Sequence, residues 1–161
     1  MDSPDKIAVE LVPAATDDVR TLVAELDRIL SAEYTLEQRH GLALDEIFKP
    51  DIRFFLARLD GAAVGCGGVA LFADFAEVKR MYVREGARRR GVAQALLARI
   101  EREAREAGFV SLKLETGVRQ RAALRFYERA RFEPCAAFGA YAAMAPHSIA
   151  TSVFLHKQLT A

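Results

Sequence analysis

Residues 83–97, Val-Arg-Glu-Gly-Ala-Arg-Arg-Arg-Gly-Val-Ala-Gln-Ala-Leu-Leu, join a strand-like run to an amphipathic helix through a loop rich in arginine and glycine. The start of a helix exposes about four backbone N–H groups without intrahelical partners and carries the positive end of the helix dipole. Gly91 and Ala93 leave space for a ligand to approach the backbone, and Arg88, Arg89 and Arg90 add positive charge. The stretch therefore predicts a site for a phosphate-bearing ligand at a strand–loop–helix junction.

Alternating elements surround this junction. Period-two patterns predict strands near 7–11 and over 52–59, 62–72, 75–83, 110–115, 132–141 and 151–159. Helical spacing of apolar residues predicts helices after Thr16, over 91–107 and over 120–130, with a further short helix around Leu42, Leu44, Ile47 and Phe48 that Pro50 must end. Asp60-Gly61 favours a hairpin turn between two of the strands. The predicted order is β-α-α-β-β-β-α-β-α-β-β.

Composition predicts a single domain over residues 1–161. The chain has 23 Lys+Arg against 22 Asp+Glu, a net charge of +1, so no overall field would attract nucleic acid or a membrane surface. No apolar stretch reaches the roughly 18 residues of a membrane-spanning helix, and the N-terminus lacks a signal-peptide pattern, which favours a cytoplasmic location. His40, His147 and His156 are isolated in the sequence, so we predict no metal site.

Two motifs resemble the GNAT superfamily of N-acetyltransferases. Arg88-Arg89-Arg90-Gly91-Val92-Ala93 is similar to the Arg/Gln-x-x-Gly-x-Gly/Ala signature of that family, and the stretch from Leu124 to Phe132, Leu-Arg-Phe-Tyr-Glu-Arg-Ala-Arg-Phe, resembles its second motif. The resemblance implies an α/β (α+β) fold with a mixed, mostly antiparallel central sheet of about seven strands and about four flanking helices. Arg89 and Arg131 stand where the family often has glycine, which implies modest strain or a different helix cap at Arg131.

The resemblance also implies acetyl-CoA as the acyl donor. Its pyrophosphate would lie on the backbone amides from Arg89 to Ala93, and the strand before the loop would bind the pantetheine arm, with the Met81 N–H polarising the thioester carbonyl. Gln120 stands where relatives often carry an asparagine that contacts this arm. The residues expected to bind the cofactor are Met81, Tyr82, Val83, Arg88, Arg89, Arg90, Gly91, Val92, Ala93 and Gln120.

Glu77 and Tyr127 are the expected catalytic residues. Glu77 resembles the glutamate that deprotonates the attacking amine in some members, although a carboxylate paired with Lys79 or an arginine is an equal alternative. Tyr127 resembles the tyrosine that protonates the departing CoA thiolate, against the alternative of an aromatic ring packed on its helix. The implied activity is transfer of an acetyl group to a primary amine of a small molecule or peptide by direct attack. A non-catalytic acyl-CoA sensor would keep the phosphate loop without needing both side chains.

The acceptor is not identified by the sequence. Its pocket is expected from residues 31–51 and from the loop 142–150, and some relatives form homodimers through their final strands. Aromatic residues in these regions and elsewhere either line the pocket or belong to the core: Tyr34, Phe48, Phe55, Phe138 and Tyr141. Acidic residues either attract a cationic amine or form a solvated helix face: Glu33, Glu37, Asp45 and Glu46.

Overall fold

The computed structural model describes residues 6–160. Seven strands form one sheet: β1 Ile7–Leu11, β2 Ile52–Leu59, β3 Ala62–Leu71, β4 Ala76–Val83, β5 Ser111–Gly117, β6 Glu133–Pro134 and β7 Ser152–Gln158. The α-helices of this part of the chain are α1 Asp17–Glu33, α2 Val92–Glu106 and α3 Arg121–Arg129. Short 3-10 turns occur at Leu36–Gln38, Glu85–Ala87, Gly139–Ala143 and Pro146–Ser148.

The strands lie in the order β1-β2-β3-β4-β5-β7-β6. All neighbouring pairs are antiparallel except β4 and β5, which are parallel because α2 makes the crossover between them. Asp60 and Gly61 both take positive φ, 50° and 89°, as the predicted hairpin turn between β2 and β3 requires. The predicted mixed, mostly antiparallel sheet of about seven strands is confirmed.

The two faces of the sheet carry different helices. Successive side chains of a strand point to opposite faces, and Phe54 packs in one apolar cluster with Val19 and Leu22 of α1, while Phe55 packs in another with Leu96 of α2. Helix α2 buries the stripe that its sequence predicts, with Val92, Leu96, Ile100 and Ala104 at most 1% exposed. Helix α3 joins the α2 side through Leu124, Phe126 and Tyr127.

The predicted short helix near residues 42–48 is wrong, so the described chain has three α-helices rather than about four. Residues 44–51 form turns, with isolated bonds such as Glu46 N–H to the Ala43 carbonyl at 3.0 Å. Ile47 is fully buried and packs with Leu42, Leu44 and Phe48 against the α1 cluster. The apolar spacing therefore reflects burial of an irregular segment, because Pro50 leaves too little length for a stable helix.

The strand predicted over 132–141 is also much shorter than expected. Pairing with β7 stops after Glu133 and Pro134, whose ring removes a backbone donor, and a 3-10 turn follows at Gly139–Ala143. The remaining predicted elements agree with the structure to within about two residues. Arg89 and Arg131, which replace glycines of the family pattern, have φ of 64° and 73°. The backbone keeps the left-handed conformation that glycine adopts easily, at the expected cost in strain.

A β-bulge interrupts β4. Cys66 of β3 pairs with Tyr82 and Gly68 pairs with Lys79, so β4 contains one extra residue at Arg80–Met81. Arg80 has a positive φ of 55°, which is rare for a residue with a side chain. A bulge bends its strand, and bulges are frequent beside active sites. Within residues 6–160, none of the helices is long and apolar enough to cross a membrane.

Candidate active site

An opening lies beside β4 where it separates from β5. The two strands pair at Ala76–Leu112 and Glu77–Lys113, and the rest of β4 continues to Val83 without β5 alongside. The edge of β4 that includes Met81, Tyr82 and Val83 is therefore available to a ligand lying along the strand. This is the stretch that the sequence assigns to the pantetheine arm, and its role in binding stays a prediction.

The arginine loop follows directly at the end of β4. Gly91 caps α2 with φ of 87°, and it supplies no side-chain hydrogen bond to the first turn. The first intrahelical bond runs from the Ala95 N–H to the Gly91 carbonyl at 3.0 Å, so the N–H groups before it point out of the helix end. Arg88, Arg89 and Arg90 are exposed around this end. The backbone thus has the geometry of an anion site, as the sequence predicts.

Arg84 does not add to this positive patch. Its guanidinium forms a two-point ion pair with Glu25 of α1, with Nε–Oε1 at 3.0 Å and Nη2–Oε2 at 2.8 Å. The pair lowers the pKa of Glu25 and raises that of Arg84. Arg88 instead donates through Nε to the Val83 carbonyl at 3.2 Å, which fixes its stem beside the loop.

A cavity of about 140 Å³ occupies the opening between β4 and β5. Its walls come from both faces of the sheet, because Leu26 and Leu30 belong to α1 and Ala123 and Tyr127 belong to α3. The polar and charged side chains around it include Gln38, Arg39, His40, Glu77, Lys79, Arg80, Glu115 and Gln120. Glu77, Tyr127, Met81 and Gln120, which the sequence singles out separately, thus line one space.

Glu77 is buried at this cavity with 3% of its surface exposed. Its Oε2 accepts a hydrogen bond from the Tyr141 hydroxyl at 2.7 Å and lies 2.9 Å from Lys79 Nζ. Lys79 Nζ also donates to the Tyr141 oxygen at 2.9 Å, which closes a three-membered network. The pairing with Lys79 that the sequence allows is therefore present, and the side chain still faces the cavity. Both contacts use the same carboxylate oxygen, Oε2.

Sequence reasoning missed Glu115, a second carboxylate in the same cavity. It lies on β5 and accepts a hydrogen bond from Ser152 Oγ at 2.6 Å. Burial is the main cause that raises the pKa of Glu115, and the nearby charge of Glu77 acts in the same direction. Alternation along β5 buries Leu112 and Leu114 and turns the next residue to the other face. This face of β5 borders the cavity only because β4 has separated from β5 at that point. The sequence of β5 does not indicate this separation.

Tyr127 lies on α3 and is 5% exposed. Its ring packs between Phe126 and Phe132, at centroid distances of 5.3 and 5.4 Å. Burial raises the pKa of its phenol, so the hydroxyl keeps its proton at neutral pH. Tyr127 thus packs in the core and also lines the cavity. This position is compatible with its hydroxyl donating a proton to a departing sulfur.

The acceptor-side predictions have mixed outcomes. Tyr34, Gln38, Arg39, His40 and Gly41 line the cavity, so the segment after α1 contributes to it as expected. The loop 142–150 contributes indirectly, through a 2.7 Å contact between His40 Nε2 and the Ser148 carbonyl. Of the aromatic candidates, Tyr34 and Tyr141 face the cavity, while Phe48, Phe55 and Phe138 pack in apolar clusters. Glu33, Glu37, Asp45 and Glu46 do not line the cavity.

His40 is another cavity residue that the sequence did not indicate, since an isolated histidine carries no spacing signal. Its ring meets Tyr141 edge-on at 5.6 Å. Among residues 6–160, no group of three or more His, Cys, Asp and Glu side chains is arranged to hold a metal ion. The absence of a metal in the reaction remains a prediction.

Comparison with known proteins identifies the family. The model of the acetyltransferase (GNAT) family matches residues 20–132, more than half of the chain. The IAA acetyltransferase of Azospirillum brasilense is 45% identical over 127 residues, which are 78% of this chain and 83% of that protein. The chain therefore belongs to the GNAT family of acetyltransferases, and it is an acyltransferase, as its two motifs predict.

Solved structures agree with this assignment. A Klebsiella pneumoniae protein, provisionally described as an acyl-CoA N-acyltransferase, superposes with a TM-score of 0.75 at 31% identity, covering 96% of this chain and 98% of its own. The PaiA N-acetyltransferase of Thermoplasma acidophilum, solved in complex with coenzyme A, has a TM-score of 0.69 at 17% identity, covering 94% and 99%. The second likeness concerns the fold alone.

Proposed function

We propose that the protein is an acetyl-CoA-dependent N-acetyltransferase that acetylates a primary amine by direct attack on the thioester. The opening beside β4 carries this proposal, because it leads from the arginine loop to the cavity that holds Glu77 and Tyr127. Val83 is six positions after Glu77 along β4, a distance of at most roughly 20 Å because the bulge shortens the strand. An extended acyl-pantetheine arm would lie along this edge, with its diphosphate on the amides that begin α2.

The residues of the cavity suit each proton transfer of such a reaction. The amine must lose a proton before it attacks, and Glu77 is the base that we assign, acting directly or through water. The amine nitrogen then bonds to the thioester carbon, and charge grows on the carbonyl oxygen. The Met81 N–H is the donor that we assign to that oxygen, at the bulge that re-aims this part of β4.

Collapse of the tetrahedral intermediate breaks the carbon–sulfur bond and releases CoA as a thiolate. Tyr127 is the acid that we assign to this sulfur, since its buried phenol is protonated before the bond breaks. Gln120, at the N-cap position of α3 on the cavity wall, is the residue that we assign to hydrogen-bond the pantetheine amides. No covalent enzyme intermediate is needed in this scheme.

The carboxylates of the cavity offer a test of the base. Glu77→Gln and Glu115→Gln each keep the side-chain shape and remove one proton acceptor. We expect Glu77→Gln to lower kcat/KM about a hundredfold and Glu115→Gln to lower it less, because general-base catalysis contributes on that order. A larger loss in Glu115→Gln would move the base assignment from β4 to β5.

The donor is tested by thermal shift and by thiol release. Acetyl-CoA should raise the melting temperature, and one class in a panel of primary amines should release CoA thiol. Arg88→Glu should weaken acetyl-CoA binding about tenfold or more, while the same charge reversal at the exposed Arg129 of α3 should not. Equal affinities in the two variants would overturn the phosphate-site assignment. Acetyl-CoA binding without turnover of any amine would instead favour a non-catalytic acyl-CoA sensor.

A further inference from the structure

Two arginines and a histidine lie at the acceptor side of the cavity. Arg39 and His40 lie in the segment that follows α1, and Arg80 lies on β4 beneath it. Glu77 and Glu115 lie on β4 and β5 on the sheet side of the same cavity. The cavity therefore combines carboxylates, which suit an amine, with arginine side chains that have a different requirement.

Arg39 is half-buried and forms no ion pair with the described residues 6–160. Its Nε donates to the Thr35 carbonyl at 3.4 Å, which is a long and neutral contact. Among residues 6–160 no carboxylate lies within 4.0 Å of its guanidinium, whereas Lys79, which lines the same cavity, has Glu77 at 2.9 Å. The remaining donors of Arg39 are thus available at the cavity wall.

Arg80 provides the second and more telling observation. Its side chain is 4% exposed, and Nη2 pairs with Asp27 of α1. Its Nε is buried and has no hydrogen-bond partner among the described residues. Gly41 packs directly on this guanidinium, where a β-carbon would collide with Nη1. A buried donor left unpaired costs about 1–3 kcal/mol, so a group that accepts from it stabilises the site.

We propose that the acceptor is a small primary amine that also carries an oxyanion, a carboxylate or a phosphonate, with the anion held by Arg39 and Arg80. This inference rests on the proposed function and names the substrate class of that site. The amine of such a molecule faces Glu77 and Glu115, and its anion faces the unpaired arginine donors. Charge-assisted hydrogen bonds from arginine to such oxyanions are stronger than hydrogen bonds between neutral groups.

Polycationic acceptors fit this cavity less well. A polyamine would place a second positive charge against Arg39 and Arg80, where like charges repel. A simple alkylamine would leave the Arg80 Nε and the remaining donors of Arg39 without an acceptor. A cavity of about 140 Å³ is also small compared with typical drug-sized pockets, which favours a compact acceptor.

The test compares matched acceptors that differ only in charge. Amino acids of increasing chain length, from glycine to 6-aminohexanoate, are assayed for thiol release beside their carboxamides, the corresponding alkylamines, aminoalkylphosphonates and spermidine. We expect at least one free acid or phosphonate to have a kcat/KM about tenfold or more above its carboxamide, through a lower KM. Preference for the phosphonate over the carboxylate identifies which oxyanion the site takes.

Arg39→Gln is the variant that removes the proposed anion contact. Its control is Arg20→Gln, outside the cavity, because Arg20 also donates through Nε to a backbone carbonyl, that of Ala15 at 3.3 Å. Arg39→Gln should raise KM for the anionic acceptor about tenfold, with a smaller effect on kcat, and should change the KM for the carboxamide much less. Arg39→Lys should recover part of the loss. The control should match the wild type for both acceptors.

Each other outcome has a definite meaning. Turnover of spermidine or of carboxamides as good as that of the acids overturns this inference and leaves the acetyltransferase function intact. If no amine reacts but the CoA-loaded protein binds the acids, and Arg39→Gln weakens that binding, the anion site is supported without catalysis. Absence of both turnover and acid binding overturns the inference, and absence of acetyl-CoA binding overturns the proposed function itself.

Discussion

Replacing Lys79 by methionine should lower the free energy of unfolding by about 3 kcal/mol. Lys79 Nζ lies 2.9 Å from Glu77 Oε2, and the side chains are only 11% and 3% exposed. Removing one partner of a buried pair leaves an uncompensated buried charge, at a cost of about 3–5 kcal/mol. We expect the lower end of this range, about 3 kcal/mol, because the Tyr141 hydroxyl still donates a hydrogen bond to Glu77. In a chain of this size each kcal/mol shifts the melting temperature by about 2–4 °C, so the fall should be about 6–12 °C.

Chemical denaturation of the cofactor-free protein measures this change. The control is Lys49→Met, because Lys49 pairs with Glu46 at 3.9 Å with side chains 60% and 44% exposed. That exposed pair should contribute less than about 0.5 kcal/mol. Adding Glu77→Gln to Lys79→Met should restore most of the stability, since a neutral amide needs no cation. Equal losses of stability in Lys79→Met and Lys49→Met, or no recovery of stability in the double variant, would contradict this reasoning. Either result would show that burial of the Lys79–Glu77 pair does not determine its contribution to stability.

Two further changes test the phenol of Tyr127 and the carboxylate of Glu115. Tyr127→Phe should lower kcat about tenfold to a hundredfold with unchanged acetyl-CoA affinity, measured by thiol release and by thermal shift; an unchanged kcat would remove its role as the acid. Burial raises the pKa of Glu115, so this group holds a proton more often in the native state than in the unfolded chain. Stability therefore falls as pH rises above about 4.5 and through the raised pKa. Denaturation across this range should show a smaller fall in Glu115→Gln, whereas Glu106→Gln, at an exposed carboxylate, should follow the wild type.

The strand–loop–helix geometry proposed to bind the cofactor was predictable because it is local in sequence. A strand, a loop and a helix start are consecutive in the chain, so residues 83–97 specify their own geometry once the helix forms. Gly91 takes a positive φ at the start of α2, which glycine adopts at little cost. Arg131 takes a positive φ after α3, where glycine is the usual residue. The apolar stripe of α2 likewise depends on helical spacing alone.

The acceptor side was not predictable in the same way, because it depends on contacts between distant segments. Tyr141 reaches Glu77 from a 3-10 turn 64 residues further along the chain. His40 meets Ser148 across 108 residues. Tyr141 and His40 both lie outside the helices and strands that have a periodic apolar pattern. Sequence periodicity therefore gives no prediction of their positions. The predicted helix at 42–48 failed for the same reason, since its apolar residues are buried by tertiary contacts in an irregular segment.

The bulge at Arg80 links the two sides of the site. A left-handed conformation at a residue with a side chain costs about 1–3 kcal/mol and persists only where its surroundings enforce it. Here Asp27 of α1 pairs with the guanidinium, and Gly41 leaves the space it fills. The same bulge sets the position of Met81 on the edge of β4 that separates from β5. The strained residue Arg80 therefore shapes both the strand proposed to hold the thioester and the cavity wall proposed to hold the acceptor. A substitution on either side of the site is expected to affect the other side through β4.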